Sequence, residues 1–175
     1  MKRILNYAVL IAIAATLAYA QPSPKAEASV AVGGKTISVK YSAPSVRGRV
    51  IFGDAGLVSH DPHYPVWRAG ANEATAFHTD ADLEIGTLKV PKGDYTLFVS
   101  VKDPNSWDLI VSKDLGEWGL AYNDAKDLGH TKMTMSKPSA PVETLKYDLA
   151  SSGAGKAKLT LSWENHVASV NISVK

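Results

Sequence analysis

A two-residue period closes this sequence and constrains its fold more than any other feature. Ala157, Leu159, Leu161 and Trp163 alternate with Lys156, Lys158, Thr160 and Ser162. Ala168, Val170, Ile172 and Val174 then alternate with Ser169, Asn171 and Ser173. Successive side chains of an extended strand point to opposite faces, so each run is apolar on one side and wettable on the other. Half-buried antiparallel strands carry that pattern, and a second layer must cover their apolar face.

The same period recurs upstream. Ile37, Val39 and Tyr41 sit between Thr36, Ser38 and Lys40, and Leu145, Tyr147 and Leu149 between Thr144, Lys146 and Asp148. Met133 and Met135 lie between Lys132, Thr134 and Ser136. Leu97, Val99 and Val101 alternate with Thr96, Phe98 and Ser100, where Phe98 is an apolar exception on the second face. Gly33-Gly34, Pro91-Lys92-Gly93-Asp94, Asp103-Pro104-Asn105 and Ser151-Ser152-Gly153 supply turn chemistry between the runs, and Asn165-His166 fits the last hairpin. No window shows a clean 3.6-residue stripe. The best helical candidate, residues 117–126, contains Gly119 and no convincing cap. About nine to eleven short strands at this spacing predict an all-β fold, an antiparallel β-sandwich of jelly-roll-like type.

The beginning of the chain reads differently. Met1-Lys2-Arg3 precedes a mostly apolar run over residues 4–20 that ends Ala18-Tyr19-Ala20, followed by Gln21-Pro22-Ser23-Pro24. This is the order of a secretory signal peptide, with cleavage expected after Ala20. A membrane anchor competes, but Asn6 interrupts the run and small residues and prolines end it. The expected organisation is a signal peptide over 1–20, a linker or arm over 21–27 and one β-sandwich domain over 28–175. The expected location is the periplasm or the exterior, with no membrane span once the signal is removed. Lys2 and Arg3 leave with the signal, so 17 basic residues then balance 17 acidic ones. A neutral surface carries no footprint for nucleic acid. The chain has no cysteine. A mature chain of about 155 residues buries roughly 70 % of its extended surface and needs no disulfide staple.

Familiar catalytic patterns are absent from the sequence. It contains no Cys nucleophile, no Gly-x-Ser-x-Gly elbow and no His-Glu-x-x-His. Gly155-Lys156 resembles the tail of a phosphate loop, but Ala150 and Ala157 stand where glycine and Ser/Thr are needed, so a hairpin turn is expected. His60 and His63 share one loop, and with His78 or Asp80 they are the only metal-ligand candidates. Two ligands in one loop do not make a site, and no metal or other cofactor is assigned. The densest polar set is Arg47 and Arg49 in one glycine-bearing segment and Trp67, Arg68, Asn72 and Glu73 in another. Two readings stay open. The set forms a pocket for an anionic or sugar-like ligand, with arginine donors and Trp67 as a stacking wall. Alternatively it is a buried Arg-Glu-Asn network that pins the two segments to the sandwich.

These segments also carry a resemblance. Tyr41-Ser42-Ala43-Pro44 through Arg47-Gly48-Arg49 to Ile51-Phe52-Gly53, and Val66-Trp67-Arg68-Ala69-Gly70-Ala71-Asn72-Glu73-Ala74-Thr75, resemble the signature of the domain of unknown function numbered 2911 in exported bacterial proteins. Pro91-x-Gly93-x-Tyr95-x-Leu97-Phe98, Trp107, Trp118-Gly119, Val142-Glu143-Thr144-Leu145 and Leu159-Thr160-Leu161-x-Trp163-Glu164 continue it. The resemblance implies a signal peptide and one β-rich domain, and brings no activity with it. The loop over 54–65 is longer and richer in His than the family's usual connection, so a His-based metal site would be peculiar to this chain. The leading expectation is a non-enzymatic binding or structural module whose partner is an unidentified small molecule or envelope component. The alternatives are an enzyme or receptor for a small carbohydrate or anionic ligand, with Glu73 as acid or base and the arginines as anion stabilisers, and a His-based metal protein.

Overall fold

The computed structural model describes residues 22–116 and 118–175, and the expected signal segment lies outside the described residues. Strands β1 (Lys25–Val32) and β2 (Lys35–Ser42) form the first hairpin. Gly33 and Gly34 turn it at positive φ, a conformation that costs glycine nothing. There follow β3 (Val66–Trp67), β4 (Thr75–Thr79), β5 (Leu83–Ile85), β6 (Leu88–Val90), β7 (Gly93–Ser100) and β8 (Asp108–Ser112). The chain ends with β9 (Asp127–Lys132), β10 (Thr134–Ser136), β11 (Val142–Gly153), β12 (Lys156–Glu164) and β13 (His166–Val174).

These thirteen strands make two antiparallel sheets. The larger has seven strands in the order β1-β2-β4-β7-β8-β9, with β3 beside β7. The smaller has six in the order β11-β12-β13-β5-β6, with β10 on β13. The chain crosses between the sheets just after β2. There the Leu145 N–H donates to the Pro44 carbonyl at 2.9 Å and the Val46 N–H to the Glu143 carbonyl at 2.8 Å. A strand that changes sheets in this way makes a corner and ties the two layers by backbone.

The period-two runs sort as the pattern requires. Ala157, Leu159, Leu161 and Trp163 of β12 are all buried, and they share one core with Ile37, Val39, Phe77, Leu97 and Val99 of the larger sheet. Burying each such aliphatic side chain contributes about 1.5–3 kcal/mol. Aromatic rings close one end of this core. Trp67 stacks on Trp163 at 5.6 Å, and Phe52 meets both edge-on at 5.4 and 5.9 Å. His166, half-buried opposite Trp163 in the last hairpin, stacks on Trp107 at 5.3 Å. Tyr41 and Tyr147 meet edge to face at 4.8 Å, and the Tyr147 hydroxyl donates to the Ala69 carbonyl at 3.0 Å. Buried tyrosines thus satisfy their polar tips, as they must away from water.

Three local expectations change. Residues 25–27, placed in a linker by composition, belong to β1, because Ala26 continues the inward alternation of Ala28 and Val30. β11 runs through Gly153, so its hairpin turns at Ala154-Gly155, with Gly155 at φ 66°. Within the described part of 117–126 there is no α-helix, only a single 3-10 turn at Asp124–Lys126, where the Asn123 side chain accepts from the Ala125 N–H.

Residues 113–116 and 118–126 instead form a strap across the outer face of the larger sheet. Phe98 and Ile110 stand directly opposite each other on that face, and both are buried. The Tyr122 ring lies against Phe98 at 4.9 Å. The strap is tied down by the Thr96 hydroxyl donating to the Asp114 carbonyl at 2.5 Å and the Tyr122 hydroxyl donating to Asp127 at 2.6 Å. It explains why Phe98 breaks the alternation: the second face of β7 is also covered. No helix among the described residues is long and apolar enough to cross a membrane.

Candidate functional site

The two polar segments singled out in the sequence do not converge on one opening. Arg47 sits at positive φ in an exposed turn, where its N–H donates to the Glu143 carboxylate at 2.8 Å. Arg49 folds back on the same turn, donating to the Val46 carbonyl at 3.0 Å and the Ser45 carbonyl at 2.6 Å. Trp67 is 3 % exposed and its ring belongs to the aromatic end of the core, so it is no wall for a ligand. Arg68 and Asn72 seat the strap. The Asn72 carbonyl accepts from the Gly119 N–H at 3.0 Å, and a Cβ on Gly119 would stand 2.6 Å from Arg68 Cδ. Glu73 takes as its cation Lys25, from the start of β1, with the Ser42 hydroxyl 3.5 Å away. This pair lies in solvent, so Glu73 does not anchor a buried network.

The histidines are engaged separately. His60 Nδ1 lies 3.0 Å from the Gly56 carbonyl, and His63 Nε2 lies 2.8 Å from the Leu120 carbonyl, holding its loop against the strap. His78 is on the outer face of β4, far along the sheet register from that loop. Among the described residues no group of three or more His, Cys, Asp or Glu side chains is arranged to hold a metal ion.

A different part of the molecule offers space. Where the strap ends, the outer face of β1, β2 and β4 is left open as a groove of about 990 Å³. Of the six ligand-binding candidates read from the sequence, only Glu73 lines it. Strand register explains its shape. Glu27, Lys40, Ala76 and Thr96 form one straight row across β1, β2, β4 and β7. Directly opposed residues on one face are near neighbours, so the short side chain of Ala76 between Lys40 and Thr96 leaves a trough. In the next row Ser38, His78 and Asp94 stand side by side. Leu115 and Gly116, from the beginning of the strap, form part of the lining.

Several ionisable groups of this groove are engaged with each other. His78 Nδ1 lies 2.7 Å from Asp94 and its Nε2 lies 3.1 Å from Asp80. The hydrogen bond to Asp94 first, and that to Asp80 second, raise the His78 pKa above its ordinary value. The bond to His78 in turn holds the Asp80 carboxyl below its usual range, assisted by the Thr36 N–H. Lys25 does the same for Glu73. A histidine whose two nitrogens both face carboxylates favours the imidazolium and has no free nitrogen with which to take a proton from a substrate. As arranged, the groove can orient hydroxyl and amide groups through exposed donors and acceptors.

Sequence reading passed over Lys25, Lys40, Ala76, His78 as a groove residue, and Asp94. The available signal was modest: an alanine at an outward strand position, and charges at matching positions on successive strands. Pairing register turns those positions into a surface, and register follows from the fold.

A model of the family described as a protein of unknown function, numbered DUF2911, matches residues 23–172. Neither a curated protein nor a solved structure matches the chain.

Proposed function

Because the chain belongs to the DUF2911 family, whose description assigns no activity, we propose from its geometry that it is an exported, non-enzymatic binding module. Its ligand site is the open groove on the outer face of the larger sheet. The carrying observation is the unequal cover of that face: the strap seals the half with apolar side chains and stops where the small and charged ones begin. A groove of this volume, with a few convergent polar groups, has the dimensions of a small-molecule site, about 300–1,000 Å³. Binding rather than catalysis is favoured because His78 is held between two carboxylates and Glu73 is held ionised by Lys25.

Export to the periplasm or beyond rests on the N-terminal pattern. Cell fractionation with N-terminal sequencing tests it: a chain beginning at Gln21 outside the inner membrane is expected, and an uncleaved chain in the cytoplasm overturns it. The groove is tested by nitrogen-15 amide spectra during a screen of small saccharides, peptides and anions. A bound compound should shift the amides of Lys40, Ala76 and Thr96, and shifts confined to the opposite sheet would overturn the assignment.

A further inference from the structure

The chemistry of the groove narrows what it takes. Most of its charges are spent on one another: Lys25 pairs with Glu73, and His78 is held by Asp94 and Asp80. Glu27 and Lys40 are opposed in register and offset each other in sign. An ionic ligand would have to break those pairs, whereas a neutral one can use the lone pairs and N–H groups the pairs leave over. Ser38, Ser42 and Thr96 lie in the floor, nearly buried, with the Thr96 hydroxyl donating to the Asp114 carbonyl and that of Ser42 facing Glu73. The groove therefore presents a few weak donors and acceptors with little net field.

One rim carries aromatic surface. Trp118 is 54 % exposed, unlike Trp67, Trp107 and Trp163, which are buried. It forms a bridge with Glu73, directly opposed across an antiparallel pair. Opposed residues in such a pair project to the same side, and Glu73 lines the groove. Trp118 is thus next to the groove through Glu73, outside its lining, with Leu115, 52 % exposed and part of the lining, on the same strap. The indole is not needed by the core. The Gly119 N–H to Asn72 bond fastens this stretch through backbone instead.

Resting on the groove reading above, we propose that the ligand is an uncharged oligosaccharide, with Trp118 as the platform for one ring and the paired side chains as partners for its hydroxyls. A sugar ring has an apolar face of C–H groups and an edge of neutral hydroxyls. An exposed indole beside a field-neutral row of donors and acceptors complements both parts, since aromatic side chains bind best where one side is apolar and the other wet. The trough over Ala76 leaves width for a ring.

The test is an amide and indole titration of nitrogen-15-labelled protein with neutral gluco-, xylo-, manno- and chito-hexaoses, each to about 10 mM, well above a millimolar Kd at the weak end of recognition. Oligogalacturonate and a hexa-alanine peptide serve as charged and peptide controls. The expected result is a saturable shift of the Trp118 indole N–H together with Lys40, Ala76 and Thr96 amides for at least one neutral sugar. Trp118→Ala should weaken that Kd roughly tenfold or more, as truncating an aromatic anchor does. Ala76→Arg, which fills the trough from an exposed position, should abolish the shifts while leaving the fold unchanged. Silence with every neutral hexaose, or an unchanged Kd in Trp118→Ala, overturns the sugar assignment. Groove shifts with oligogalacturonate or the peptide alone overturn it too but leave the groove standing. Shifts confined to the smaller sheet overturn both.

Discussion

The outer face of the larger sheet is two surfaces. Over β7, β8 and β9 it displays Phe98 and Ile110, and the strap covers them so fully that both are buried. Over β1, β2 and β4 it displays Lys40, Ala76 and His78 around a nearly buried Ser38, and an open groove lies over them. Both halves share one pleat and one hydrogen-bonded ladder, so backbone does not distinguish them. Side-chain chemistry does. An apolar pair on an outward face draws a segment over itself because burial is favourable, while small and charged groups keep their water. A loop thus became a wall, and its edge became the rim of a groove.

The covered half should be the fragile one. Phe98→Ala removes the ring that the strap lies on and should cost about 3–5 kcal/mol, because a cavity is left beneath Tyr122. Chemical denaturation checks this, and a loss below about 1 kcal/mol, as expected of a surface site, would erase the contrast. Gly119→Ala tests the seat itself. Its new Cβ would stand 2.7 Å from the Asn72 carbonyl oxygen, a backbone atom that cannot swing aside. The expected cost is about 1–3 kcal/mol, with faster proteolytic cleavage of residues 113–126 than in the unsubstituted protein. Tyr122→Phe keeps the packing on Phe98 and deletes one hydrogen bond. Asp127 Oδ1 is already buried without a partner, and Oδ2 would keep only His130, at 2.9 Å. A loss of about 1–2 kcal/mol is expected by thermal or urea melts.

The open half should respond to pH more than to substitution. His78 has a raised pKa in the folded state, so its contribution is fully present below the ordinary histidine value near 6.5 and is lost as pH rises through the folded value. With its side chain 42 % exposed, its effect is small. His166 is the counterpart. Burial lowers its pKa, partly opposed by Glu164, whose Oε2 stands 3.4 Å from Nδ1, close enough for attraction but outside hydrogen-bond geometry. The unfolded chain therefore takes up that proton first, and stability falls as pH drops below about 6.5. Proton spectra of the two rings should show midpoints on opposite sides of the ordinary value, and Asp94→Asn should lower that of His78. Coinciding midpoints would contradict the pairing in the groove. The smallest effect belongs to Ala76→Ser, which should change stability by no more than about 0.5 kcal/mol. A larger loss would mean that the trough is packed rather than open.

The face assignments of β2, β11, β12 and β13 were legible from residues alone, whereas the last turn, expected at Asn165-His166, falls at Glu164-Asn165, and His166 opens β13 opposite Trp163. The site was not. Arg47, Arg49, Trp67, Arg68, Asn72 and Glu73 are dense along the chain, but the fold sends Trp67 inward, spends Arg68 and Asn72 on seating the strap, and gives Glu73 to Lys25. Local density measures neighbours along the chain. Lys25 and Glu73 are 48 residues apart, and no pattern within a window joins them.

By itself the sequence determined that this chain is all-β and which side of most strands is buried, because a period of two is a property of consecutive residues. It also marked Phe98 as an exception without saying what covers it. Only the tertiary structure decided that a strap lies on Phe98, that four strands align Glu27, Lys40, Ala76 and Thr96 into one row, and that one of four tryptophans stays in solvent. Those outcomes depend on which strands become neighbours and in what register, and that choice is made by the burial of the whole core at once.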